Sequence, residues 1–180
     1  MRHLMLLRHA KTERDSPTGK DRDRRLSSIG RADAPALARY VGREALLPDF
    51  TLVSPAVRAR ETWELFAGSF SAAMPYEIVQ DLYGADSAEL LQIVRSASLI
   101  SDTGARLMVV AHNPGLHEFA LALTGHGNAD ARAALADNLP TCGLATIAFK
   151  IADWPRLSFR SGHLERLITP AMLRDKPDEG

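Results

Sequence analysis

The sequence predicts an α/β fold, a three-layer α/β/α sandwich whose mostly parallel sheet receives an antiparallel edge contribution from C-terminal strands. Apolar runs typical of buried strands alternate with amphipathic segments typical of helices over most of the chain, and parallel strands need such crossover helices. From Cys142 onward, β-branched and aromatic residues follow one another without an intervening helix. That change of character indicates strands added at a sheet edge, partly antiparallel.

The N-terminal half alternates strands and helices. The apolar run Leu4–Leu7 predicts the first strand, and the charged, Pro- and Gly-containing stretch from Lys11 to Arg25 predicts a solvated loop that overhangs the strand end. Ser27 or Ser28 can cap a helix, which either kinks at Pro35 or starts near Asp33. The later elements predicted here are a strand at Phe50–Val53, a helix at about Ala56–Phe70, a strand at Tyr76–Val79 and a helix at Ser87–Ala97 capped by Asp86.

The C-terminal half continues the alternation before it changes to strands. The predicted elements are a strand at Arg106–Ala111, helices at Gly115–Leu123 and Ala129–Leu139, and strands at Cys142–Ile151 and Arg156–Phe159.

Composition bounds the class of protein. With 180 residues and 46% hydrophobic content, the chain is expected to form a single domain spanning residues 1–180. Lys plus Arg and Asp plus Glu are equal at 22 each, so no global field attracts nucleic acid or an anionic membrane. We therefore expect neither as a partner, and any attraction for anions must be local.

Cysteine usage and hydropathy suggest the compartment. Cys142 is the only cysteine and cannot form an internal disulfide, while Arg8 interrupts the N-terminal apolar run that a signal peptide would need. No apolar stretch approaches the ~20 residues that span a bilayer. We expect a soluble, cytoplasmic protein.

Three predicted strands end in residues suited to phosphate chemistry. Arg8 and His9 follow the first strand, Ser54 to Arg58 follow the second, and His112 and Asn113 follow the strand ending at Ala111. Ligands of parallel sheets bind beyond the carboxyl ends of the strands, where these segments meet. Guanidinium groups grip two phosphoryl oxygens in one plane, and a neutral imidazole is a nucleophile. On these grounds either histidine could attack phosphorus.

Several motifs together resemble the histidine phosphatase superfamily, which includes the cofactor-dependent phosphoglycerate mutases, and more closely its small SixA-type phosphohistidine phosphatases. The motifs are Leu7–Glu13 (LRHAKTE), Arg25–Gly30 (RLSSIG), Ser54–Thr62 (SPAVRARET), Ala111–Leu116 (AHNPGL) and Leu139–Thr141 (LPT). The resemblance implies a phosphoglycerate mutase-like fold in which His9 is transiently phosphorylated. It also implies that Arg8, Arg58 and His112 bind the phosphoryl oxygens, without cofactor or metal.

Two further expectations concern the histidines. His9 should donate its other ring nitrogen to a backbone carbonyl, which fixes the tautomer that aims a lone pair at phosphorus. His112, gathered with two arginines, should have a lowered pKa in the empty site.

The chain departs from the family pattern in places. Ala10 and Ala111 replace common glycines, and the glutamate that serves as general acid in the mutases has no clear counterpart. Asp81 is the first candidate for that acid and Asp86 the second, although an aspartate there is more often a turn or helix-capping residue. Lower-ranked candidates for binding substrate are Lys11, Ser54 and Asn113.

The expected function is hydrolysis of phosphohistidine on a protein, since imidazole leaves more easily than an alkoxide and needs less proton assistance. The alternatives are a small-molecule phosphomonoesterase using Asp81, and a phosphate-binding module without turnover. A metal-dependent hydrolase ranks third. His117 and Glu118 lie near His112, but a spacing of five residues does not match the four-residue spacing of a zincin helix.

Overall fold

The computed structural model describes residues 1–99 and 104–175. Its strands are β1 (Arg2–Arg8), β2 (Phe50–Val53), β3 (Tyr76–Ile78), β4 (Arg106–Ala111), β5 (Thr124–Gly127), β6 (Leu144–Phe149) and β7 (Gly162–Ile168). Its α-helices are α1 (Ser28–Arg43), α2 (Val57–Ala67), α3 (Ser87–Ser96), α4 (Gly115–Leu123), α5 (Ala129–Asp137) and α6 (Pro170–Arg174). Short 3-10 turns occupy Asp21–Asp23, Gln80–Leu82, Ala97–Leu99 and Trp154–Arg156.

One seven-stranded sheet organises the described part of the chain, in the spatial order β3-β2-β4-β1-β6-β7-β5. The strands from β3 to β1 are parallel, β6 is antiparallel to both β1 and β7, and β5 pairs with β7 in parallel. The predicted α/β class is confirmed, with a mostly parallel sheet and an antiparallel C-terminal contribution. The chain crosses between parallel strands through helices, as parallel pairing requires.

Helices cover both faces of the sheet, which makes three layers. Side chains alternate between the faces of a strand, so Leu4 and Leu6 of β1 join one buried cluster while Met5 and Leu7 join the other. The first cluster is completed by side chains of α3 and α4, and the second by side chains of α1 and α2. β1 is therefore apolar on both faces and carries its polar residues only at its ends.

Helix starts follow local capping chemistry. α1 begins at Ser28 rather than near Asp33, because the hydroxyl of Ser27 caps it by accepting from the Gly30 N–H at 3.3 Å, and Pro35 lies within the helix. Asp86 caps α3 in a capping box with Glu89, which confirms its predicted capping role.

The C-terminal prediction was partly wrong. No strand forms at Arg156–Phe159, because Trp154–Arg156 is a 3-10 turn whose Pro155 cannot donate a ladder hydrogen bond. The strand that follows β6 is instead β7, and β5 at the sheet edge was not predicted. Among the described helices, none is long and apolar enough to cross a membrane.

Candidate active site

Three adjacent strands in the middle of the sheet end at the same edge. β4 lies between β1 and β2, with Arg8 opposite Ala111 and Val53 opposite Val110. Beyond the last pairs, the N–H of His9 donates to the Ala111 carbonyl at 3.2 Å, and the N–H of Ser54 donates to the Val110 carbonyl at 3.0 Å. These backbone bonds bring the three predicted motif segments together.

His9 is buried and its tautomer is set by the backbone. Its Nδ1–H donates to the Ala10 carbonyl oxygen at 2.8 Å, as predicted, which leaves the lone pair on Nε2. The pKa of His9 is lowered to about 3, chiefly by burial; the contact with the Ala10 carbonyl raises it, and the nearby charges of His112, Arg58 and Arg8 lower it. His9 is therefore a neutral, nucleophilic imidazole at neutral pH.

His112 stands beside His9, with their ring centroids 5.2 Å apart. Its Nε2 contacts the Ser54 hydroxyl at 2.6 Å, and its Nδ1 is buried without a hydrogen-bond partner among the described residues. The pKa of His112 is lowered to about 4, first by burial and then by Arg58. The predicted direction is confirmed, but burial contributes more than the arginines do.

Arg58 lies in the first turn of α2, with its side chain 7% exposed. Its guanidinium donates to the backbone carbonyl of Asp21 at 2.7 Å and to the Asp21 carboxylate at 2.9 Å. The backbone beneath it is tied to the nucleophile's segment, because Thr62 Oγ1 donates to the Arg58 carbonyl at 2.6 Å and accepts from the Ala10 N–H at 3.0 Å.

Arg8 enters the site from the end of β1. Its Nη1 donates to the Leu139 carbonyl at 3.0 Å, and its Nε is buried without a partner among the residues described. Burial lowers the pKa of Arg8, but guanidinium stays charged at any working pH. Asn113 Nδ2 donates to the same Leu139 carbonyl at 2.9 Å, so Asn113 anchors the 139–141 segment beside the site.

The other predicted residues lie in different surroundings. Asp81 is exposed in the turn Gln80–Leu82, and no described hydrogen bond joins it to the four central residues. Lys11 is exposed, and its positive charge helps to lower the pKa of Asp33 in α1 against the larger effect of burial. Ser54 is fully buried against His112, so it is placed to orient that ring rather than to bind substrate.

Two residues at the rim were missed by the sequence analysis. Asp21 sits in the turn Asp21–Asp23 of the overhanging loop and contacts Arg58. Tyr83 donates its hydroxyl to the Asp21 carboxylate at 2.9 Å, and its ring meets the His112 ring edge-on at 5.6 Å. Burial opposes the ionisation of Asp21, but hydrogen bonds from Tyr83, Arg58 and Arg24 lower its pKa to about 2.

The histidine nearest the site by sequence has a structural partner. His117 Nε2–H donates to the Leu135 carbonyl at 2.6 Å, which joins α4 to α5. Within residues 1–99 and 104–175, no group of three or more His, Cys, Asp or Glu side chains is arranged to hold a metal ion.

The chain is similar to known proteins over most of its length. Residues 4–90 match the model of the histidine phosphatase superfamily, branch 1. An uncharacterised protein of Mycobacterium leprae (strain TN) is 32% identical over 170 residues, covering 91% of this chain and 99% of that protein.

Solved structures are also similar to this chain over most of its length. A crystal structure from Agrobacterium tumefaciens, assigned as a phosphohistidine phosphatase SixA, superposes with a TM-score of 0.73 and 27% identity, covering 94% of this chain and 99% of that one. A phosphoserine phosphatase from Entamoeba histolytica, solved with 3-phosphoglyceric acid, is similar in fold, with a TM-score of 0.61, 15% identity, and coverage of 94% and 98% of the two chains.

Proposed function

The chain belongs to the histidine phosphatase superfamily, branch 1, and on that premise we propose that it hydrolyses phosphohistidine on a protein substrate through a phospho-His9 intermediate. Phosphatase chemistry is the coarse assignment that the family and the fold support. The phosphohistidine substrate and independence from metal are the finer parts of the proposal.

One observation carries the proposal: a buried neutral imidazole with its Nδ1 proton committed to a carbonyl lies within a cluster of Arg8, Arg58 and His112. Phosphoryl transfer is catalysed mainly by positioning and by cations around the equatorial oxygens. In the proposed first step, His9 Nε2 forms a bond to phosphorus as the substrate's P–N bond breaks, and the released imidazole keeps the electron pair and takes up a proton. Water then attacks the phosphoenzyme and releases inorganic phosphate.

The two aspartates nearest to an acid role among the described residues, Asp81 and Asp21, support phosphohistidine over phosphate esters. An alkoxide leaving group needs a proton in the transition state, whereas imidazole leaves with less help. Asp81 is exposed and makes no described contact with the site, and Asp21 has a pKa of about 2 and is ionised at neutral pH. Neither is suited to donate a proton to an alkoxide.

The second candidate is a small-molecule phosphomonoesterase of the same superfamily. The structural similarity to the phosphoserine phosphatase of Entamoeba histolytica favours considering it, although at 15% identity that similarity concerns the fold alone. Turnover of a phosphohistidine-bearing protein should be compared with a panel of phosphate esters. Faster hydrolysis of the esters would replace the first proposal with the second.

The nucleophile is tested by trapping the intermediate. The protein is incubated with a labelled phosphodonor in EDTA, and wild type is compared with His9→Ala and with His117→Ala, a histidine bonded to a backbone carbonyl between helices. We expect acid-labile, alkali-stable label on wild type and His117→Ala only. Label retained on His9→Ala would show that His9 is not the nucleophile. Binding of phosphate without any label on wild type would indicate a binding module. Loss of turnover in EDTA would contradict the proposed independence from metal.

A further inference from the structure

We infer that Asp21 is a positioning residue for Arg58 and that, together with Tyr83, it fixes the edge that the guanidinium presents to the phosphoryl group. The inference rests on the function proposed above. It assigns a role to the overhanging loop, which the reaction steps themselves do not use.

The contact between Asp21 and Arg58 has two parts. Arg58 Nη1 donates to the Asp21 backbone carbonyl at 2.7 Å, and Nη2 donates to carboxylate Oδ2 at 2.9 Å. A guanidinium has five N–H donors in one plane. Asp21 accepts one hydrogen bond from each terminal nitrogen, Nη1 and Nη2. The other edge of the guanidinium carries the Nε hydrogen and the remaining Nη2 hydrogen, and we assign this edge to two phosphoryl oxygens.

Tyr83 couples this contact to the rest of the site. Its hydroxyl donates to the same Oδ2 at 2.9 Å, while its ring lies 5.9 Å from Arg58 Cζ and 5.6 Å from the His112 ring. Arg24 approaches the other carboxylate oxygen of Asp21 at 3.2 Å. The carboxylate is thus held by three donors, two of them cations, although its side chain is 54% exposed.

The contact with Asp21 affects both the charge and the freedom of the Arg58 side chain. Arg58 is a buried cation and Arg8 a half-buried one, and an arginine side chain has many rotamers that must be restricted before it can bind in a bidentate manner. The ionised Asp21 offsets one positive charge and restricts Arg58 before substrate arrives. Since the restriction applies to ground-state binding of the phosphoryl group, its loss should act mainly on affinity.

Four variants test the inference. Asp21→Ala should weaken phosphate binding and raise KM about tenfold, as expected for a lost hydrogen bond to a charged group, with kcat changed less than about threefold. Asp21→Asn keeps an acceptor without the charge and should rescue part of the loss, to about threefold, and Tyr83→Phe should shift KM in the same direction by about twofold. Asp23→Asn removes the same charge from the same turn without a described contact to Arg58 and should behave as wild type.

Calorimetry with inorganic phosphate gives a readout that does not depend on turnover, and thermal unfolding midpoints confirm that each variant folds. Unchanged or tighter phosphate binding by Asp21→Ala would overturn the inference, because Asp21 would then be a bystander or a competitor for Arg58. An effect of Asp23→Asn equal to that of Asp21→Asn would also overturn it. Wild type that binds phosphate but does not hydrolyse phosphohistidine would end only the proposed function, whereas wild type that does not bind phosphate would end both.

Discussion

The Ser54 hydroxyl lies 2.6 Å from Nε2 of His112, and this contact joins the end of β2 to the end of β4. Ser54 is fully buried, while Nδ1 on the other side of the His112 ring is buried without a partner among the residues described. When the Ser54 hydroxyl donates its hydrogen bond to Nε2 of the neutral ring, the ring's own proton resides on Nδ1. That proton can then be donated to a phosphoryl oxygen.

Ser54→Ala should therefore lower kcat/KM about fivefold to tenfold, the effect of losing one hydrogen bond that orients a reacting ring. Steady-state turnover of a phosphohistidine substrate measures the loss, and nitrogen NMR of His112 reports the tautomer. Ser71→Ala, at an exposed position, is the control. Unchanged turnover with an unchanged tautomer would show that Ser54 has no part in orienting His112.

Thr62 links the nucleophile's segment to the helix that carries Arg58. Thr62→Val removes the hydroxyl that accepts from the Ala10 N–H at 3.0 Å and leaves that buried donor without its partner. We expect the free energy of unfolding to fall by about 1–3 kcal/mol and turnover to fall with it. Urea unfolding and kinetics on the same samples provide the measurement. A variant as stable and active as wild type would contradict this role.

Thr51 on β2 is a second buried threonine and provides a comparison with Thr62. Its side chain is fully buried, and Oγ1 has no hydrogen-bond partner among the described residues. Thr51→Val keeps the shape and the β-branched character but removes the unpaired polar atom. The free energy of unfolding should rise by about 1 kcal/mol in urea unfolding. Destabilisation would mean that Oγ1 has a partner, such as water.

Much of the fold and the centre of the site could be predicted, because both depend on local patterns. The run Leu4–Leu7 and its two counterparts are apolar enough to identify buried parallel strands, and parallel strands must end at one edge. His9 and His112 directly follow β1 and β4, and Arg58 lies in the first turn of the helix after β2, so their meeting is a consequence of topology rather than of long-range packing.

The elements that were missed lack such local signals. β5 consists of Thr124-Gly125-His126-Gly127, in which two glycines hide any strand pattern. Gly127 has φ +145° and an added Cβ would lie 2.3 Å from the Leu164 carbonyl, so close packing against β7 selects glycine there. β7 has two adjacent charged residues, Glu165 and Arg166, which obscure its alternation.

Asp21 was missed for a different reason. It is one of several charged residues in a loop whose composition predicts solvation, and its partner Arg58 is 37 residues away. Only the packing of the turn Asp21–Asp23 against α2 brings the two together. Motif spacing does not encode a contact of this kind.

His9, which is buried, and His112, which is partly buried, make stability depend on pH with a definite sign. The pKa of His9 is lowered to about 3 and that of His112 to about 4, from an ordinary value of about 6.5 in the unfolded chain. Between those values the unfolded chain binds more protons, so the free energy of unfolding falls as pH decreases from about 7 toward 4, by up to about 1.4 kcal/mol per pH unit for each imidazole. Urea unfolding at several pH values measures the slope.

His9→Ala and His112→Ala should each flatten that slope, because each removes one group that must remain neutral in the folded protein. Two aspartates also titrate, and they do so in wild type and variants alike. Burial raises the pKa of Asp33, so its ionisation lowers the free energy of unfolding as pH rises through its ordinary pKa. The lowered pKa of Asp21 changes the free energy of unfolding only below about pH 4. These contributions cancel in the comparison. Equal slopes for wild type and both variants would mean that the histidines ionise freely in the folded state, and a neutral His9 poised for attack would then lose its physical basis.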